Sequence, residues 1–121
     1  MRAALQVHSA LSRRAFAVVV LVSLAVLFTP GDDVPSAAPG VDKLVHAGLF
    51  AALALSGRWA GIRGSVLAAI LALYAAVSEV LQGLTPLDRS ASAADWLADV
   101  AGLLLGLALW EAVARKRDTA R

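Results

Sequence analysis

The sequence predicts an all-α fold, a bundle of four transmembrane helices with both termini cytoplasmic. Three observations lead there. The chain of 121 residues is 60% hydrophobic and 17% charged, whereas soluble domains run at about 45–50% and 25%. Its apolar residues fall in long runs that lack the polar stripe a soluble helix presents to water. Period-two alternation is absent, so strands are not expected. A mean hydropathy of +0.74 argues against a soluble enzyme, a disordered segment or a DNA-binding module. At this length the chain reads as one domain over residues 1–121.

The first helix is expected over 14–30. From Ala15 to Thr29 its only polar side chains are Ser23 and Thr29, and Pro30-Gly31 stops it. A bilayer core of roughly 30 Å takes about 20 helical residues, so tilt and snorkelling of Arg13 and Arg14 must make up the difference. A basic start, an apolar run and Ser36-Ala37-Ala38 also fit a cleaved signal peptide. That small-residue site, however, stands well beyond the apolar run and between Pro35 and Pro39, so a retained helix is the expectation.

The second helix is expected over 42–60, after a Pro/Gly loop with two Asp, and it ends in a tight basic turn at 57–63. The third, 63–84, opens at Arg63, and from Gly64 to Leu84 it is interrupted only by Glu79. The fourth, 95–114, has Asp99 near its start and Glu111 near its end, and Ser92 is a candidate cap for it. There is no Cys, which excludes disulfides and thiol chemistry.

Lys/Arg asymmetry sets the orientation. With four crossings, the N-terminus, the 57–63 turn and the C-terminus share a side. They hold Arg2, Arg13, Arg14, Arg58, Arg63, Arg115, Lys116, Arg117 and Arg121, leaving Lys43 and Arg89 opposite. The basic residues thus account for topology, and no nucleic-acid partner is expected. A multi-pass protein of the plasma (inner) membrane is.

The remaining polar residues gather at one membrane depth. Asp42, Lys43 and His46 open the second helix, Glu79 and Gln82 close the third, Asp88 and Arg89 lie in the next loop, and Asp95 and Asp99 open the fourth. Asp42/His46 and Asp95/Asp99 are i,i+4 pairs and Glu79/Gln82 an i,i+3 pair. Small residues continue each stripe: Ala47, Ala54 and Gly57 (with Phe50) in the second helix, Ala68, Ala72, Ala75 and Ala76 in the third, Ala98, Gly102 and Gly106 in the fourth. Small-xxx-small stripes mark helix contacts in lipid. A charge facing hydrocarbon costs about 2.5–3.5 kcal/mol even on lenient scales, so these groups are expected to face inward.

Asp42-Lys43-x-x-His46, then Glu79-x-x-Gln82, then Arg89 followed by Asp95-x-x-x-Asp99-x-x-Gly102 resembles the VanZ-like family of small membrane proteins across residues 42–106. The family usually has Asn where Asp99 stands, which adds a carboxylate here. The resemblance implies an envelope-associated membrane protein and a link to low-level resistance to the glycopeptide teicoplanin. It supplies no reaction.

Two function classes stay open. In the first, His46 and Glu79 are catalytic, doing acid/base work on an anionic envelope lipid or lipid-linked precursor. Lys43 and Arg89 hold the anion, Gln82 orients Glu79, and Asp42, Asp95 and Asp99 complete the binding layer. In the second, the same layer binds a headgroup or partner protein without chemistry. The bland alternatives are an interhelical hydrogen bond for His46, an ion pair with Arg89 for Glu79, and an interfacial anchor for Lys43. Carboxylates plus imidazole could also ligate a metal, but no compact motif such as HExxH is present and no cofactor is expected. A homodimer through Gly102/Gly106 is expected only if that face does not line the site.

Overall fold

The structure, a computed structural model, describes residues 7–28, 41–84 and 93–119, with side chains over 7–28, 43–84 and 93–116. All four elements within them are helices: α1 (Ala10–Leu27), α2 (Val41–Trp59), α3 (Gly64–Leu84) and α4 (Ala93–Thr119). The all-α expectation holds, with shifted ends. Helix α1 begins a turn early because the Ser9 side chain accepts the Ser12 amide at 3.0 Å, which satisfies one orphan N–H of the first turn. It closes with the Phe28 amide on Leu24 O, ahead of Pro30. Helix α4 runs past Ala114 through Arg115 and Lys116; both are good helix formers and suit the negative end of the helix dipole. The Ser92 cap lies outside the described residues.

Three helices are long and apolar enough to cross a membrane: α1, α3 and α4 over Ala93–Lys116. Their outward faces present large apolar side chains such as Leu21, Leu73 and Leu104, each more than half exposed. A soluble monomer does not expose apolar surface on that scale, and the chain is a membrane protein. Helix α2, expected as a fourth span, differs in composition. Asp42, Lys43, His46 and Arg58 lower its hydropathy, and it is the helix that the others surround.

Helix α2 packs most extensively on α4, then on α1 and α3. It buries His46, Phe50, Leu53, Ala54, Ser56 and Gly57, and its core neighbours are Leu27, Leu67, Leu71, Ala75 and Leu103. Close approach to α4 depends on glycine. A Cβ at Gly102 would stand 2.1 Å from Ala47 O, and one at Gly106 would stand 2.6 Å from Ala51 O. The GxxxG face is therefore filled by the chain's own α2. Both glycines of the possible homodimer face are thus packed on α2.

The turn after α2 is short for a local reason. Gly61 has φ +101°, its amide bonds Arg58 O, and the Ile62 amide bonds Gly57 O. This is a Schellman arrangement with glycine at the left-handed position, and it places α3 directly against α2. Buried serines are satisfied within their helices: Ser23 Oγ donates to Val20 O, Ser56 Oγ to Ala52 O and Ser78 Oγ to Ala75 O. Ser23 Oγ also lies 2.8 Å from Tyr74 Oη, linking α1 to α3.

Candidate functional site

Antiparallel neighbours put the start of α2, the end of α3 and the start of α4 at one end of the bundle. At 1.5 Å per residue, Glu79 and Asp99 lie about 7–9 Å inside their helix ends. The depth matching read from the sequence holds: His46, Glu79 and Asp99 are all buried, and one ligand atom from each lies within 4.8 Å of the others.

His46 Nδ1 stands 2.7 Å from Asp99 Oδ1, the geometry of an imidazole N–H donating to a carboxylate. Its Nε2 is 4.0 Å from Asp95 Oδ2. Lys43 Nζ donates to Asp95 Oδ1 at 3.1 Å. The Lys43 side chain is half exposed, whereas Asp99 is fully buried. The arrangement is graded in depth, with an ion pair at the rim, the imidazole beneath it and two carboxyls at the floor.

Five of the eight expected site residues therefore form one connected group: Lys43, His46, Glu79, Asp95 and Asp99. Gln82 is buried at the same end but has another task. Its amide N–H donates to the carbonyl of Leu27, satisfying an end group of α1 and tying α1 to α3. The expected orientation of Glu79 by Gln82 is not among the described hydrogen bonds. Asp42 falls in the first turn of α2, but its side chain and the whole of Arg89 lie outside the described residues.

A second polar group at the other end was not expected as a unit. Arg58 donates to Glu111 Oε1 at 3.2 Å and to Ile62 O at 2.9 Å, and its guanidinium lies 5.9 Å from the Trp110 ring centroid. The contact pins α2 to α4 at the end opposite His46. Charge signs alone could have suggested the pair, because Glu111 is the sole acid expected in that half of the bundle. Beside it an apolar cavity of about 500 Å³ is lined by Ala15, Ala52, Leu55, Ser56, Trp59, Trp110 and Val113. No titratable side chain lines it, so the polar cluster, and not this cavity, is the candidate site.

Comparison of the chain with protein-family models, curated proteins and solved structures gave no match.

Proposed function

We propose that the chain is a plasma-membrane protein crossing four times with both ends cytoplasmic, and that its polar end, on the extracytoplasmic side, binds an anionic lipid headgroup or lipid-linked envelope precursor. The observation that supports this is the convergence of His46, Glu79 and Asp99 from three helices into one buried cluster behind the Lys43–Asp95 pair. An arriving headgroup meets Lys43 first, and the buried groups only after the rim opens. The likeness of the Asp42–Gly102 pattern to the VanZ-like family points the same way, toward the cell envelope and glycopeptide response. No nucleic acid enters this reading, because the basic residues are accounted for by orientation.

Reconstitution of the full chain in nanodiscs containing phosphatidylglycerol and phosphatidylcholine, followed by mass spectrometry of the lipids that stay bound after detergent extraction, tests it. Phosphatidylglycerol should be retained in excess over its share of the bilayer, and Lys43→Ala should remove most of that excess. Equal retention of both lipids, or an unchanged excess in the variant, rejects the reading.

The 2.7 Å His46–Asp99 contact favours a second reading in which the site also modifies what it binds. A carboxylate that fixes an imidazole's tautomer and orientation is a recurrent device of acid/base sites, and Glu79 stands within reach. Under this reading Glu79→Gln abolishes any change in the mass of the lipid that is bound. Full modification by that variant removes Glu79 from the chemistry.

A further inference from the structure

Two carboxylates and one imidazole, drawn from three helices and all buried, form an unusual interior for a site that takes an anion. Among the described side chains at this end, Asp95, Asp99 and Glu79 face one permanent cation, Lys43. Among these described groups the acidic side chains outnumber the cation. A divalent cation on the floor of the site reverses that balance and gives the headgroup oxygen a ligand partner. It rests on the headgroup reading only for the use made of the ion, not for the ion's binding.

We infer that His46, Glu79 and Asp99 form a binding site for one divalent transition-metal ion of the Zn²⁺ or Mn²⁺ class.

Donor chemistry and geometry both argue for it. An imidazole with carboxylates and no thiolate suits zinc, manganese or iron(II) better than a soft ion, and the imidazole disfavours magnesium and calcium. Donors on one zinc ion sit about 2.0–2.2 Å from it, so no two are more than about 4.4 Å apart. The trio lies within 4.8 Å, and tetrahedral donors on one zinc stand roughly 3.4 Å apart, so a pair at that limit closes by about 1.4 Å, or about 0.7 Å for each side chain. The 2.7 Å His46–Asp99 contact opens by a similar amount as the proton between them is displaced. Three protein donors leave further coordination positions for water or a headgroup oxygen, the open arrangement of a metal that meets a ligand. Asp95, 4.0 Å from His46 Nε2, supports the ring from the rim, as carboxylates do around metal-bound imidazole.

The test uses the full chain in uncharged detergent, stripped with EDTA and exchanged into metal-free buffer, with Mn²⁺ as the probe and no added lipid. Electron paramagnetic resonance of free Mn²⁺ should show one saturable site per chain, with Zn²⁺ displacing the ion and millimolar Mg²⁺ failing to. Loss of a supporting partner alone lowers metal affinity about 10–100-fold, so His46→Gln, Glu79→Gln and Asp99→Asn should each weaken binding at least tenfold. Glu111→Gln, at the opposite end, should leave it unchanged. Absence of saturable binding by the unaltered chain overturns the inference, whatever the variants do. So does wild-type affinity in all three cluster variants with helicity intact. The lipid is measured separately: retained phosphatidylglycerol without Mn²⁺ binding defeats the metal alone, and Mn²⁺ binding without lipid preference defeats the headgroup reading alone.

Discussion

At the scale of single residues, interhelical hydrogen bonds in this chain differ widely in what their loss would cost, because burial differs. Asp99 is fully buried and meets the His46 ring at 2.7 Å. Removing its carboxyl leaves a buried ring N–H to find another partner, and an unsatisfied buried donor costs about 1–3 kcal/mol. Asp99→Ala should therefore lower the unfolding midpoint clearly, while Asp99→Asn, which keeps an acceptor oxygen and nearly the same volume, should lose much less. Circular dichroism melts in one detergent measure both, and an unchanged midpoint in Asp99→Ala would mean that the contact contributes little. The Ser23–Tyr74 contact is the contrasting case. Ser23 Oγ also donates to Val20 O, and hydrogen bonds between transmembrane helices average about 0.6 kcal/mol. Tyr74→Phe should shift the same melt only slightly. The polar layer itself was legible as a matter of depth, since positions counted from helix ends place His46, Glu79 and Asp99 together. Partner identity was not. The Gln82 bond to Leu27 O and the Arg58–Glu111 pair depend on the rotation of each helix about its axis, which spacing within one helix leaves undetermined.

At the scale of elements, the contact between α2 and α4 is set by backbone approach. Ala47 O and Ala51 O lie where Cβ atoms would stand on Gly102 and Gly106, and carbonyls fixed in a helix cannot yield as a flexible side chain can. Gly102→Ala should force the two helices apart and disturb the His46–Asp99 contact one turn away, with loss of thermal stability and of any ligand bound at that end. Gly48→Ala is the matched control. Nothing lies within 4 Å of its Cβ position, and alanine gains roughly 0.5–1 kcal/mol over glycine inside a helix, so stability should hold or rise. A melt in which the two substitutions behave alike would contradict the packing described here. The small-residue stripes of α2 and α4 were readable for the same reason, but of the α3 stripe only Ala75 is buried. Its buried line runs through Leu67, Leu71 and Ala75, whereas Ala68, Ala72 and Ala76 are half-buried. The small partner in that contact is on α2: a Cβ at Gly57 would stand 2.8 Å from the Leu67 methyls. Large packs over small across an interface, and one helix's sequence does not say which side supplies the small residue.

At the scale of the whole molecule, the proposed topology turns on α2. Composition alone qualifies α1, α3 and α4, and three crossings would put the termini on opposite sides. Nine of the eleven basic residues would then no longer share a face, against the usual bias. The packing is compatible with a fourth crossing. Helix α2 is 19 residues long, close to the roughly 20 that a bilayer core requires. Its described charged and imidazole groups have protein partners: His46 has Asp99, Lys43 has Asp95, and Arg58 has Glu111 and Ile62 O. A helix surrounded by three apolar ones need not be apolar itself, because the insertion cost of its charges falls once they are paired inside the bundle. Hydropathy would undercount a span of that kind. The absence of cysteine from the sequence makes the test clean, since each engineered thiol is the only one. Leu44, 73% exposed near the start of α2, and Ser65, exposed at the start of α3, bracket the helix. With a membrane-impermeant maleimide on intact spheroplasts, Leu44→Cys should label at once and Ser65→Cys only after permeabilisation. Labelling of both from the outside, or of neither, would mean that α2 does not cross. Labelling of Ser65→Cys alone would mean that it crosses in the reverse sense, with the His46 cluster facing the cytoplasm and a cytoplasmic ligand in place of an envelope one.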